Sequence, residues 1–252
     1  MALDLNDKSG NGNNLTNVNT VADITTSLPF AASTHAAGFT TASSQRLEAS
    51  DSTSLHPSTK YTLETWVKFS SLPASGGAMY LINKSSDNNA GGFYMSLYNN
   101  AGTYWLYGDA NNTGSFVLYH VTVTPSTGTW YHYAITCDVT LGAGLKMEFF
   151  VNGSSVGNGT AQFDNAIGTI ATTTLPLTLG CNIQSDNTTR GAFLDGQLDD
   201  VRYWKDTVRT ATQISNNYQS LLTGTETGLG AYYPFEALPV ATTGGTLLFM
   251  GV

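Results

Sequence analysis

The sequence predicts an all-β protein, a two-sheet antiparallel sandwich with one short helix near its C-terminal end. Three observations carry that prediction. Short runs rich in Tyr, Phe, Val, Leu and Thr alternate apolar with polar side chains, and Gly, Asn, Asp and Ser separate them. One stretch, late in the chain, carries apolar residues at helical spacing. No repeat of fixed period and no linker of Pro or charge divides the 252 residues, a length that suits one all-β unit.

The elements follow in order. In Tyr61-Thr62-Leu63-Glu64-Thr65-Trp66-Val67-Lys68-Phe69, the residues Tyr61, Leu63, Val67 and Phe69 form one apolar face, with Glu64, Trp66 and Lys68 opposite. Residues 93–98 alternate in the same way: Phe93, Met95 and Leu97 oppose Tyr94, Ser96 and Tyr98. Strands are also predicted over 104–107, 116–123, 131–137, 146–151, 177–179, 198–204 and 230–235. Asn152-Gly153 closes a hairpin, because both residues tolerate positive φ. Thr210-Ala211-Thr212-Gln213 is a capping box opening a helix over 211–222, with Ile214, Tyr218 and Leu221 on one face and Gly224 ending it.

Composition narrows the functions. Charged residues are only 11% of the chain, less than half the usual share of about 25%. The polar surface is therefore built from Asn, Thr, Ser and Gly, which suits hydroxyl-rich ligands and crowded extracellular or virion settings. A net charge of −8 without any Lys/Arg cluster excludes nucleic acid as a partner. No run of 18 apolar residues exists to span a membrane. The start, Met1-Ala2-Leu3-Asp4, shows no signal peptide, so a virion is the favoured setting over secretion to a cell surface. Cys137 and Cys181 follow no CxxC pattern and are either two buried thiols or a disulfide between neighbouring strands.

Several segments together resemble laminin-G-like members of the concanavalin A-like jelly-roll superfamily. Asp7-Lys8-Ser9-Gly10-Asn11-Gly12-Asn13 is similar to the family's opening turn, and Glu64-Thr65-Trp66-Val67-Lys68 to its E-x-W-V-K strand. Trp130-Tyr131-His132 and Val151-Asn152-Gly153 resemble its W-H strand and V-N-G hairpin, and Leu198-Asp199-Asp200-Val201-Arg202-Tyr203-Trp204 its I-D-E-V-R-I-W strand. The resemblance covers about residues 4–236, leaving 237–252 as an apolar C-terminal extension of a single domain. It implies a curved jelly roll and, as in many relatives, one structural calcium held by Asp199 with backbone carbonyls. The competing reading is that Asp199 caps the Asp195-Gly196 turn by accepting backbone amides.

Family hydrolases carry an E-x-D-x-x-E strand, which supplies two carboxylates about 5 Å apart. No such motif occurs here. Asp199 and Asp200 are consecutive, so a regular strand would point them to opposite faces. The four histidines, His35, His56, His120 and His132, are scattered, so an enzyme is not expected. What remains is a binding or adhesion module for a glycan or cell-surface receptor. Tyr94, Tyr98, Trp105 and Tyr107 would form an aromatic platform, with Asn99, Asn100, Asp109, Asn111 and Asn112 in adjacent loops. Glu64 and Arg202 are expected to pair across neighbouring strands. The alternative is a virion decoration, tail-fibre or filament-associated protein held by subunit contacts without glycan binding. Its apolar tail, 244–252, would dock on virion or homo-oligomer neighbours.

Overall fold

Alternation along each strand, together with the turns between them, dictates two layers, and the computed structural model, which describes residues 3–87 and 91–236, has them. The first half of the chain forms β1 (Leu15–Val18), β2 (Ala22–Ile24), β3 (Ala36–Phe39), β4 (Arg46–Ala49), β5 (Lys60–Phe69), β6 (Ala78–Asn83), β7 (Gly92–Asn100), β8 (Thr103–Asn112) and β9 (Ser115–Val123). The second half adds β10 (Trp130–Asp138), β11 (Met147–Val151), β12 (Ser154–Gly157), β13 (Thr160–Asp164), β14 (Leu177–Leu179), β15 (Asn182–Ile183), β16 (Arg190–Gly191), β17 (Gly196–Lys205), α1 (Ala211–Asn217) and β18 (Leu229–Tyr233). One sheet runs β1-β4-β14-β6-β7-β8-β9-β13. The other runs β12-β11-β10-β5-β17-β3-β2, with β18 also on β17.

Both sheets turn their apolar positions inward. Leu63, Val67 and Phe69 of β5 meet Phe93, Met95 and Leu97 of β7 and Leu106 of β8 in one buried cluster. Each such side chain contributes about 1.5–3 kcal/mol by leaving water, so this cluster dominates stability. Asn152 and Gly153 have φ of 49° and 76°, the mirror-image turn a tight hairpin prefers. Gly196 is needed where β17 starts, since a Cβ there would lie 2.4 Å from the Lys68 carbonyl oxygen. Cys137 and Cys181 are both free and buried.

The helix is shorter than its apolar spacing predicts. The capping box forms: Thr210 Oγ1 accepts from the Gln213 amide at 3.2 Å, and the Thr210 amide donates to Gln213 Oε1 at 2.9 Å. The helix nevertheless stops at Asn217, well before Gly224. Ser215, Asn216 and Asn217 are weak helix formers. The C-terminal carbonyls also find side-chain partners instead of further turns: Trp66 Nε1 donates to the Tyr218 oxygen at 2.7 Å, and Arg202 Nη2 to those of Asn217 and Ser220.

Ile214 of that helix packs with Ala134 and Phe150 on the outer side of the β5-containing sheet. Tyr218 stacks on Trp66 at 5.8 Å. That outer face is thereby closed. Glu64 and Trp66, at positions that alternation assigns outward, are buried beneath the cover.

Candidate functional site

The closed face holds the charges. Arg202 opposes Glu64 in register, with Nη1 3.4 Å from Glu64 Oε2, and its Nη2 lies 2.6 Å from Asp200 Oδ2. Trp204 Nε1 donates to Glu64 Oε1 at 2.6 Å, and His132 Nε2 stands 3.6 Å away from Oε2. Burial alone would raise the Glu64 carboxyl, but Arg202 and His132 outweigh it and hold it at about 2. None of these side chains reaches solvent.

Strand geometry at Asp199-Asp200 differs from the expectation of opposite faces. Asp200 has φ 52°, and the register with β5 shifts between Asp199 and Arg202. This bulge turns both carboxyls away from the core, while Leu198 and Val201 on either side of them point in. Both are fully buried, so neither can touch a substrate. Asp199 Oδ2 accepts from Ser33 Oγ at 2.5 Å, and Oδ1 accepts from the Asp200 amide at 2.7 Å. Burial, then the Asp200 charge and that of Glu236, push the Asp199 carboxyl far up. Glu236 Oε2 accepts from the Thr34 and His35 amides, while its buried Oε1 has no partner among the described residues. Also among the described residues, no group of three or more His, Cys, Asp or Glu side chains is gathered to hold a metal by itself. The Asp195-Gly196 turn is fastened separately: Ser71 Oγ donates to Asp195 Oδ2 at 2.6 Å.

The outer face of the other sheet is different, because among the described residues no helix lies on it. Phe93, Met95 and Leu97 point to the core, which sends Tyr94, Ser96 and Tyr98 outward; Leu106 inward sends Trp105 and Tyr107 outward. Register then aligns them: Tyr98 opposes Trp105, and Ser96 opposes Tyr107. Tyr94, Tyr98, Trp105 and Tyr107 line a single open groove of about 470 Å³ together with Tyr80 and Asn100. Its rings support one another, Tyr98 lying 6.1 Å from Trp105 and 5.8 Å from Tyr107. His120 stacks behind Trp105 at 4.1 Å and 24°. Tyr107 donates its hydroxyl to Gln162 Oε1, fixing the ring.

Asp109 and two of its expected loop neighbours are placed otherwise. Asp109, Asn111 and Asn112 belong to β8, because that strand runs on to Asn112. Asp109 is buried beside the groove rather than lining it, 3.5 Å from Asn111 Nδ2. Burial raises its carboxyl to about 8. Asn99 is committed to structure, donating to the Pro73 carbonyl and accepting from the Gly102 amide. Sequence reasoning missed Tyr80 because β6 carries a bulge between Tyr80 and Ile82 that puts Leu81 and Ile82 both into the core. His120 was findable, since Val117, Tyr119 and Val121 point inward and leave it outward with Leu118 and Thr122.

A second, smaller depression of about 140 Å³ adjoins the groove, with Tyr80 and Tyr94 as the shared wall. Asn83, Ser85, Asp87 and Asn182 complete it. The apolar tail 244–252 lies outside the described residues.

The Laminin_G_3 family model, described as the Concanavalin A-like lectin/glucanases superfamily, matches residues 40–215. No curated protein matches the chain. Domain 4 of the extracellular arabinanase AbnA from Geobacillus stearothermophilus, solved with arabinotriose, aligns at TM-score 0.55 and 19% identity, covering 84% of this chain and 92% of that one. Botulinum neurotoxin type C, whose cell entry depends on two ganglioside molecules, aligns at 0.58 and 11%, covering 86% and 49%. The enzymatically active domain of bacteriophage CBA120 tailspike protein 2 aligns at 0.55 and 10%, covering 93% and 34%. At these identities the likeness is one of fold.

Proposed function

The chain belongs to the concanavalin A-like lectin/glucanases superfamily, and on that premise we propose that it is a non-catalytic carbohydrate-binding module whose ligand lies along the aromatic groove. One observation carries the reading: Tyr80, Tyr94, Tyr98, Trp105 and Tyr107 converge on a single face that no described element covers, with Ser96, Asn100 and Gln162 among them. Sugar rings present apolar C–H faces that stack on such rings, and their hydroxyls bond to the interspersed amides and hydroxyls. The described residues lining the groove include no carboxylate, whereas glycoside hydrolysis needs a pair flanking the bond. That supports binding without cleavage. The solved complex of the AbnA domain with arabinotriose supports a sugar ligand on this fold.

The test is a glycan array read with the wild type and Trp105→Ala. A central tryptophan typically accounts for about 2 kcal/mol or more of binding, so the variant loses about thirtyfold or more in affinity. A wild type that binds no glycan, or a variant that binds as well as the wild type, overturns the reading.

A structural calcium at Asp199 is part of the same proposal. The chemistry fits: Asp199, Glu236 and Ser33 Oγ offer hard oxygens, Glu236 Oε1 is unsatisfied, and a cation would neutralise carboxylates that otherwise repel. Its contribution would be to tie the 33–35 segment to β17. Chelator should lower the melting temperature of the wild type but not of Asp199→Ala. An unshifted wild type assigns the site to hydrogen bonding alone. The setting we propose is display on a virion or cell surface, which the charge-poor surface supports. Mass spectrometry of purified particles from the source tests it.

A further inference from the structure

The small depression beside the groove is built differently from the groove, and the difference bears on which part of a glycan it meets. Its far wall is fixed backbone. Ser86 bridges to Ile183 of β15, and the Asp87 amide donates to the Ile183 carbonyl at 3.1 Å. Asn83 holds the bend by accepting from the Ser85 amide at 3.1 Å and donating to its carbonyl at 3.0 Å. The near wall is Tyr80 and Tyr94, with ring centroids 4.9 Å apart. Among the described residues these walls bound the space on the side away from the groove. At about 140 Å³ it has the volume of roughly five waters, against about fifteen for the groove's 470 Å³. Its volume suits the edge of one sugar ring rather than a run of rings.

Its free valences are an amide oxygen, which accepts, and a hydroxyl, which accepts and donates. Asn182 Oδ1 and Ser85 Oγ, whose residues are only 8% and 2% exposed, have no partner among the described residues. Asn182 Nδ2 is already donating to both Asp87 carboxylate oxygens, at 3.1 and 3.2 Å. Buried polar atoms without partners cost about 1–3 kcal/mol each, so the pocket is complementary to a ligand rich in hydroxyls, which both donate and accept. A divalent cation would find one carboxylate here, already hydrogen-bonded. Lys84 is turned away, its Nζ held by Asp51 at 2.6 Å and by the Leu175 carbonyl at 2.6 Å. Among the described residues no cation lines either depression, and an acidic sugar would meet Asp87 unscreened.

We propose that this pocket receives the terminal sugar of an uncharged glycan chain, through Asp87, Asn182 and Ser85, while the following sugars stack along the groove. This rests on the groove being the sugar site. Recognition is then of chain ends rather than of internal stretches.

The experiment is isothermal titration with neutral arabino-, xylo-, manno- and gluco-oligosaccharides of about three to six residues, and with the matching long polysaccharides, against the full chain. Expected is binding whose capacity follows the number of chain ends and not polymer mass. Asn182→Ala and Asp87→Asn should each weaken oligosaccharide binding about tenfold, with melting temperatures showing that both variants fold. Sialylated and uronic acid glycans should bind more weakly than neutral ones. Polysaccharide capacity that follows mass, with Asn182→Ala binding as the wild type does, overturns the inference and leaves the groove reading standing. Stronger binding of acidic glycans, or a loss of binding in chelator that Asp87→Asn reproduces, overturns it likewise. A wild type that binds none of these sugars fails the groove reading itself.

Discussion

Replacing Asp109 by asparagine should make the protein more stable at neutral and alkaline pH, although it removes a buried residue's native side chain. Asp109 is fully enclosed beside the groove, where its carboxyl meets the long contact from Asn111 Nδ2. Burial raises its carboxyl from 3.8 to about 8, and Asn111 offsets this only in part. The sign follows from proton counts. Between these values the folded chain keeps a proton that the unfolded chain has released, so stability falls as pH rises through that window. The contribution is fully present below about pH 3.8 and lost above about 8. Each pK unit is worth about 1.4 kcal/mol, so the whole window carries on the order of 5 kcal/mol. The substituted amide cannot ionise, and the lost carboxyl hydrogen bond costs it about 1 kcal/mol. Asp109→Asn should therefore equal or fall slightly below the wild type at pH 4 and exceed it by about 3–4 kcal/mol at pH 8. For a chain of this size that is about 6–15 °C in melting temperature. Urea unfolding of both proteins from pH 4 to 8 measures it, and the difference isolates this one group from all others that titrate. Two stability curves that stay parallel across the range refute the placement of Asp109 in a closed, charge-poor site.

The converse holds on the closed face. Glu64, held at about 2 against an ordinary 4.5, contributes about 3 kcal/mol above pH 4.5 that is lost as pH falls through 2; Glu64→Gln should be weaker by about that amount at pH 7, with the gap closing in acid. A gap independent of pH would assign the loss to packing rather than to Arg202. Gly196→Ala should cost about 1–3 kcal/mol, because its Cβ would fall 2.4 Å from the Lys68 carbonyl at the start of the central strand pair. Chemical denaturation reads it, and an unaffected variant would mean that β5 and β17 separate easily there.

The two-layer fold was legible because strands buried on one side must alternate, and residues 61–69, with Thr65 the exception on the inward face, and 93–98 follow that pattern. Short edge strands such as Leu15–Val18 and Ser154–Gly157 left no such signal, the latter being exposed throughout. The four groove aromatics were legible by the same rule, since fixing Phe93, Met95, Leu97 and Leu106 inward fixes Tyr94, Tyr98, Trp105 and Tyr107 outward. Bulges defeat that rule. One at Tyr80–Ile82 hid Tyr80, and one at Asp199–Arg202 placed side by side two carboxyls that a regular strand would separate. Asp tolerates positive φ, so Asp200 permits a bulge, but composition alone does not say that one forms. Nor does alternation say whether an outward face is wet. Glu64 and Arg202 were placed outward, and a seven-residue helix with its following loop then covers them.

The tryptophans show what that cover decides. Trp66 Nε1 donates to the Tyr218 carbonyl, Trp204 Nε1 to Glu64, and Trp130 Nε1 to the Ser27 carbonyl. Those three indoles are accounted for by the fold: each packs its ring and directs its N–H to a protein acceptor, as tryptophan in a folded chain ordinarily does. Trp105 is built the other way round. His120 at its back and Tyr98 and Tyr107 at its sides hold the ring in place, yet among the described residues its N–H has no protein acceptor. A rigid ring with a free donor gains nothing further from folding and loses little entropy on meeting a ligand. Both sheets turn aromatic side chains outward by the same pleat. Where no described helix arrives, those side chains keep the capacity to bind something else.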